Sequence, residues 1–185
     1  EELNMIIVHL GGGVSVGAHK HGRVVDVNNV KDDGAMGMDR GGALPANALV
    51  NLCFQEGMTK KDVKRIIGQE AGVYSYTGTK DFLTVENEAM AGDEKMMGAF
   101  KAIAYQLAKD IGAMAAVLHY DVDAISFTGG MAYSVKFCEE IGKYISKIAP
   151  IYRFPGECEM EALALGAAKA VETGKWENYA ENIIK

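Results

Sequence analysis

A run of glycines between a histidine and a serine is the first segment of the chain that could do chemistry. It reads His9-Leu10-Gly11-Gly12-Gly13-Val14-Ser15-Val16-Gly17. Three consecutive glycines allow a tight turn and let several backbone N–H groups approach one anion without an intervening Cβ. Ser15 could add a hydroxyl donor, and His9 could hydrogen-bond a transferring phosphoryl oxygen. The segment predicts a phosphate-binding turn, although a structural hairpin with a core histidine accounts for the same residues equally well.

The glycine run does not fit the dinucleotide-binding pattern G-x-G-x-x-G. Counted from Gly11, the last glycine is replaced by Val16; counted from Gly12, the middle one is replaced by Val14. That pattern also requires a helix next, whereas residues 14–20 alternate like a strand. A Rossmann-type site is therefore excluded at this position.

An arginine followed by glycines forms the second candidate, Gly37-Met38-Asp39-Arg40-Gly41-Gly42-Ala43-Leu44-Pro45. The guanidinium of Arg40 could bind two oxygens at once and stabilise charge in a transition state. A solvated loop arginine is the alternative, since most arginines lie in water.

Two further segments could contact a nucleotide or a metal. Phe127-Thr128-Gly129-Gly130-Met131-Ala132 places glycines between a strand and a helix, where nucleotides bind in open α/β sheets. Gly156-Glu157-Cys158-Glu159-Met160-Glu161 opens a helix with three alternating carboxylates. These carboxylates either complement the helix macrodipole or, through Glu161, help to hold Mg²⁺.

Short strands and helices must position these segments. The predicted strands are Met5–Leu10, Val14–Lys20, Arg23–Asn28, Val122–Phe127 and Ile148–Arg153. The predicted helices begin at Ala46, after Thr59, at Asp81, at Asp93, at Ala132 and at Glu159. Loops are predicted for Asn29–Pro45 and Val73–Thr79. Three strands in a meander followed by crossovers predict an α/β fold.

Composition narrows the function classes. The net charge of -6 gives no support for nucleic-acid binding, which needs a basic patch. Cys53, Cys138 and Cys158 form no CxxC pair, so a zinc site is not expected, and free thiols fit a cytoplasmic protein. No apolar run approaches the roughly 20 residues that a membrane-spanning helix needs.

Taken in order, the four segments resemble the butyrate kinases of the acetate kinase family, within the sugar kinase, heat-shock chaperone and actin superfamily. The resemblance covers essentially the whole chain. It implies a ribonuclease H-like (actin-like ATPase) domain, a mixed sheet with helices on both faces. It also implies reversible transfer of the ATP γ-phosphoryl group to a short-chain carboxylate such as butyrate, with ATP/ADP and Mg²⁺ as cofactors and assembly as a homo-oligomer.

The resemblance also assigns residue roles. Arg40 matches the arginine that stabilises the transferring phosphoryl group, and His9 matches the histidine that contacts it. Asp81 matches a ribose-contacting aspartate. Glu161 matches a magnesium-linked glutamate, with Glu159 as the second choice. The remaining matches are phosphate and nucleoside contacts at Gly11, Gly12, Gly13, Ser15, Gly129, Gly130 and Met131.

The family begins with another domain of the same superfamily, which carries a further phosphate loop, and nothing here matches that loop. Residues 1–185 are therefore interpreted as the C-terminal nucleotide-binding domain of a two-domain acyl kinase, inactive without the other domain. A non-enzymatic, actin-like nucleotide-binding module is the alternative, because it would keep the glycine segments without needing Arg40. A domain that binds nothing is the third possibility.

Overall fold

Five strands form one mixed sheet in the computed structural model, which describes residues 2–28, 33–156 and 159–176. The strands are β1 (Asn4–Leu10), β2 (Val14–Lys20), β3 (Arg23–Val27), β4 (Ala124–Gly129) and β5 (Ile151–Pro155). Their order is β3-β2-β1-β4-β5. β1 pairs antiparallel with β2 and parallel with β4, so β1 lies at the centre and joins the meander to the crossover strands.

The described residues form seven helices: five between β3 and β4, one between β4 and β5, and one after β5. They are α1 (Ala46–Cys53), α2 (Lys60–Gln69), α3 (Gly72–Thr77), α4 (Phe82–Met90), α5 (Glu94–Val117), α6 (Val135–Ile145) and α7 (Glu159–Thr173). A short 3-10 turn, Gly130–Tyr133, separates β4 from α6. None of the described helices is long and apolar enough to cross a membrane.

One face of the sheet forms the core. Ile6 and Val8 of β1 and Phe127 of β4 are fully buried in the cluster that also holds Ile103 and Leu107 of α5. Because neighbouring residues of a strand point to opposite faces, the other face carries the alternate set. We call this second face the open face. Its half-buried residues are Met5, Ile7, His9, Ser15 and Thr128.

The signals for the hairpin and for the helix starts at Thr59 and Asp93 are confirmed. His21 and Gly22 join β2 to β3 with φ of 49° and 75°, a turn with two left-handed residues. Thr59 caps α2, and the reciprocal bonds between its side chain and Asp62 form the predicted capping box. Asp93 caps α5 through the N–H of Met96.

The predicted loop at Val73–Thr79 is wrong, since most of it is helix α3. A six-residue helix has little stability of its own, and its first N–H groups lack partners within the helix. Here Val73 donates to the carbonyl of Gly37 and Tyr74 to the carbonyl of Met38, at 3.1 and 2.8 Å. The helix therefore depends on contacts remote in sequence, which local propensity cannot reveal.

Boundaries near β4 and β5 also differ from the predictions. β4 begins two residues later than predicted and continues to Gly129, while β5 begins at Ile151. The predicted helix from Ala132 is divided, because Ser134 ends the 3-10 turn and caps α6 through the N–H of Phe137. Cys53 is exposed and Cys138 buried, both as free thiols, and Cys158 lies outside the described residues.

β1 and β4 end in close backbone contact. Gly129 has φ 87° and ψ 176°, a conformation that is essentially restricted to glycine. A Cβ there would lie 2.5 Å from the carbonyl oxygen of Leu10. Gly130 has open space around its Cβ position and a φ outside the left-handed region. The two adjacent glycines are therefore under different constraints.

We expect Gly129→Ala to lower the free energy of unfolding by about 2–5 kcal/mol, because both strain and overlap with Leu10 oppose it. Gly130→Ala is the matched control and should stay within about 0.5 kcal/mol of the wild type. Urea unfolding followed by circular dichroism measures both. Equal stability of the two variants would contradict the assigned backbone contact.

Candidate functional site

His9 and the glycine turn lie together at the end of the open face. The imidazole Nδ1 of His9 is 3.4 Å from the hydroxyl oxygen of Thr128, its neighbour across the parallel pair. A Cβ at Gly11 would lie only 2.8 Å from Nε2 of His9, so the ring packs against the turn. The turn thus needs glycine at position 11 for space, since Gly11 has no left-handed φ.

The donor and acceptor roles of the two His9 nitrogens depend on the tautomer. If the Thr128 hydroxyl donates to Nδ1, the proton of a neutral imidazole lies on Nε2, the nitrogen that faces Gly11. Ser15 lies opposite His9 across the antiparallel pair, so its hydroxyl is on the same face. The His9 ring and the Ser15 hydroxyl therefore lie on one face at this end of β1.

The Arg40 loop, which comprises residues 33–45 in the described part of the chain, is attached directly to the glycine turn, residues 11–13. Met38 donates its N–H to the carbonyl of Gly12 at 3.3 Å, and Gly37 would place a Cβ 2.9 Å from the same oxygen and 3.7 Å from the α-carbon of Gly13. Gly37 in turn donates to the carbonyl of Arg40 at 3.0 Å. These contacts bring the half-buried Arg40 next to the turn, although 27 residues separate it from Gly13.

The Arg40 loop has no regular structure, and two neighbouring helices hold it. On α5, the Asp110 carboxylate accepts from the N–H of Ala35, and Gln106 accepts from the N–H of Met36. Burial raises the pKa of the Asp110 carboxyl above its usual value. On α3, Gly72 approaches the loop so closely that a Cβ would lie 2.6 Å from the Arg40 carbonyl oxygen.

A cleft of about 400 Å³ opens beside the glycine turn. Five of the predicted nucleotide contacts line it: Gly11, Gly12, Asp81, Gly130 and Met131. Its other lining residues come from α4 and from the end of the 3-10 turn: Phe82, Leu83, Glu86, Tyr133 and Ser134. One cleft therefore joins the first, third and α4 segments, which lie far apart in the sequence.

Asp81 in this cleft is the N-cap of α4. Its carboxylate accepts from the N–H groups of Leu83 and Thr84 and from the Thr84 hydroxyl, the last at 2.6 Å. The hydrogen bond from the Thr84 side chain is the main reason that the pKa of the Asp81 carboxyl lies below its usual value. Asp81 is thus positioned at the cleft by its structural role in the helix.

Glu161 lies in the first turn of α7. It is exposed on α7, whose side chains are nearly all exposed, and it does not line the cleft. Within the ranges that the structure describes, no three His, Cys, Asp or Glu side chains cluster as a metal cage. The role of Glu161, like that of Glu159, stays a prediction.

The sequence reasoning missed Glu86, Tyr133 and Ser134 as cleft residues. Glu86 is four residues after Phe82 on α4, so helical spacing places both on one face. Ser134 could have been found as a helix cap, since Ser is a favoured N-cap residue. No sequence signal marked Tyr133.

Comparisons with known proteins agree with this arrangement. The family described as the acetokinase family matches residues 1–148. Butyrate kinase 2 of Clostridium acetobutylicum is 46% identical over 172 residues, which cover 92% of this chain and 48% of that protein. A probable butyrate kinase of Listeria innocua is 45% identical with the same coverage. The chain therefore spans about half the length of these curated relatives.

Solved structures share the fold at low sequence identity. The acetate kinase of Porphyromonas gingivalis superimposes with a TM-score of 0.83 at 22% identity, over 92% of this chain and 49% of that one. A ROK family protein from Streptococcus pneumoniae superimposes with a TM-score of 0.53 at 14% identity, over 95% of this chain and 61% of that one. The predicted resemblance and the actin-like class of fold are confirmed.

The contact between His9 and Gly11 leads to a test. Gly11→Ala should displace the imidazole, because the new Cβ would overlap Nε2. Gly12→Ala, at an exposed position with no atom within 4 Å of its Cβ, should leave the ring in place. NMR of the histidine ring resonances would show a shift for His9 in the first variant alone. Unchanged His9 resonances in Gly11→Ala would refute the packing described.

Proposed function

Since this chain belongs to the acetokinase family, we propose that it is the nucleotide-binding half of a kinase that phosphorylates a short-chain carboxylate with ATP. The observation that carries the proposal is that the glycine turn, which lines the cleft through Gly11 and Gly12, contacts both the His9 ring and the Arg40 loop. These are the donors and the cation that a transferring phosphoryl group needs. Butyrate is the proposed acid, because the curated relatives named above are butyrate kinases.

The proposed enzyme has a second domain that supplies the opposite wall of the active site. This chain matches 48% of the length of these relatives, and its glycine turn follows the end of β1, the central strand of the sheet. We propose that residues 1–185 form the C-terminal domain and that the complete protein assembles as a homo-oligomer, as the family resemblance implies.

The reaction needs little proton chemistry. A carboxylate oxygen of the acid attacks the γ-phosphorus, a new O–P bond forms, and the bond from that phosphorus to the β–γ bridging oxygen breaks. ADP leaves with the electron pair, and the product is an acyl phosphate. The nucleophile is already an anion at neutral pH, so no strong general base is required.

The residues of this chain act by position and charge. The Arg40 guanidinium offsets charge on the equatorial phosphoryl oxygens, and the His9 imidazole contacts one of them. The N–H groups of the glycine turn and the Ser15 hydroxyl orient the phosphates. Gly129, Gly130 and Met131 contribute to the nucleoside side of the site, which the helix capped by Asp81 borders.

Magnesium fits this donor set as a nucleotide-bound ion. Mg²⁺ is usually held by one or two carboxylates together with substrate phosphates, so it needs no cage of protein ligands. Bound in that way it would neutralise part of the phosphate charge. Glu161 is the proposed carboxylate for it.

Arg40→Ala in the complete protein should lower kcat for acyl phosphate formation by about a hundredfold or more, because a cation at the transition state is lost. Arg40→Lys should recover only part of the rate, since an ammonium group cannot bind two oxygens in parallel. Arg65→Ala on α2 is the control, because Arg65 pairs with Asp62 and Glu70 near its own helix instead of lying in the loop held against the glycine turn. Near wild-type turnover of Arg40→Ala would disprove its assigned role.

The 185-residue chain alone should bind Mg-ADP but produce no acyl phosphate, because the opposite wall would be missing. Isothermal titration calorimetry measures the first, and a hydroxamate assay with ATP and butyrate measures the second. Rapid acyl phosphate formation by the chain alone would overturn the two-domain proposal. A flat titration would overturn the nucleotide site itself.

A further inference from the structure

Among the described residues, two carboxylates line the cleft, Asp81 and Glu86, and they differ in how much of their hydrogen-bonding capacity is in use. Asp81 already accepts three hydrogen bonds from the first turn of α4, with both of its oxygens engaged. Its carboxylate is therefore committed to capping the helix. A further contact from Asp81 to a ligand would compete with the cap.

Glu86 has one partner in the described part of the chain. The Ser134 hydroxyl donates to its Oε1 at 2.5 Å, which fixes the half-buried side chain at the cleft wall. An ionised carboxylate can accept about four hydrogen bonds, so most of its capacity remains. Because Glu86 lines an open cleft, its unused acceptor positions are accessible to donors from a ligand.

The chemistry of Glu86 selects the part of the nucleotide that it can bind. Phosphate oxygens carry negative charge and would repel the carboxylate, so Glu86 cannot face the phosphates directly. The base has a flat apolar surface, and the large side chains suited to its faces, Leu83 and Tyr133, are 60% and 69% exposed at the cleft. Neutral donors remain: the adenine amino group at the far end of the base, and the ribose hydroxyls between base and phosphates. The hydroxyls match Glu86 better, because the glycine turn proposed for the phosphates lines the same cleft.

We propose that Glu86 binds the ribose hydroxyls of the nucleotide, that Ser134 holds its orientation, and that Asp81 acts as the helix cap that positions it. This inference rests on the proposed function, since it requires a nucleotide in the cleft. It assigns the sugar contact to a residue one turn further along α4 than the family resemblance implies.

The test compares Mg-ADP with Mg-2′,3′-dideoxy-ADP by calorimetry on this chain. The wild type should prefer the ribonucleotide by about ten- to a hundredfold, the range expected for hydrogen bonds to a charged group. Glu86→Ala should weaken ADP binding by that factor and leave dideoxy-ADP binding unchanged. Glu86→Gln keeps the shape and one acceptor, so it should lose part of the preference even if the alanine variant does not fold.

Two controls separate this role from a structural one. Glu88→Ala removes a charge from the exposed side of the same helix and should keep the full preference. Asp81→Asn should also keep it, because asparagine is a good N-cap. Equal weakening of both nucleotides by the Glu86 variants, or loss of the preference in Asp81→Asn, would overturn the inference alone. Failure of the wild type to bind either nucleotide would overturn the nucleotide site and the inference with it.

Discussion

The parallel pairing of β1 with β4 is the constraint on which the rest of the site depends. It places His9 beside Thr128 and brings the glycine turn next to Gly129 and Gly130. The two strand ends can meet only because Gly129 has no Cβ to strike the Leu10 carbonyl. One side of the cleft is therefore built from the segments that follow the central pair of strands, namely Gly11, Gly12, Gly130 and Met131.

The other parts of the site are held by long-range contacts that this pairing does not supply. The Arg40 loop has no hydrogen-bond ladder of its own and relies on α3, on Asp110 and Gln106 of α5, and on the Gly12 carbonyl. Such a loop can hold Arg40 beside the glycine turn although the loop itself has no regular structure. The sheet therefore positions the glycines, and the helices position the loop that carries Arg40.

Much of the fold could be predicted from the sequence, because strand alternation and helix caps are local signals. Local signals of this kind are the alternation in residues 4–20 and the caps at Thr59 and Asp93. Each depends on residues only a few positions apart. Helix α3 could not be predicted, since its first donors are satisfied by the carbonyls of Gly37 and Met38. Functional contacts between residues that lie far apart in the sequence could not be predicted for the same reason.

The roles of the candidate residues were open to prediction to different degrees. His9, Arg40 and the glycines were identified because their types and order resemble known motifs. Glu86 looked like any glutamate on a helix, and only the position of Ser134 shows that its side chain is fixed at the cleft. Asp81 was identified by resemblance, and its engagement as a cap emerged only from the side-chain contacts.

Adjacent glycines in the turn have unequal tolerance, and this offers a practical use. Gly12 lines the cleft with open space at its Cβ position, while Gly11 touches the His9 ring. A cysteine at position 12 would therefore carry a fluorescent dye at the cleft mouth without displacing the imidazole, and nucleotide arrival would change the emission of the dye. Cys138 is buried and would react slowly, so the exposed Cys53 is the first native thiol to remove from such a sensor.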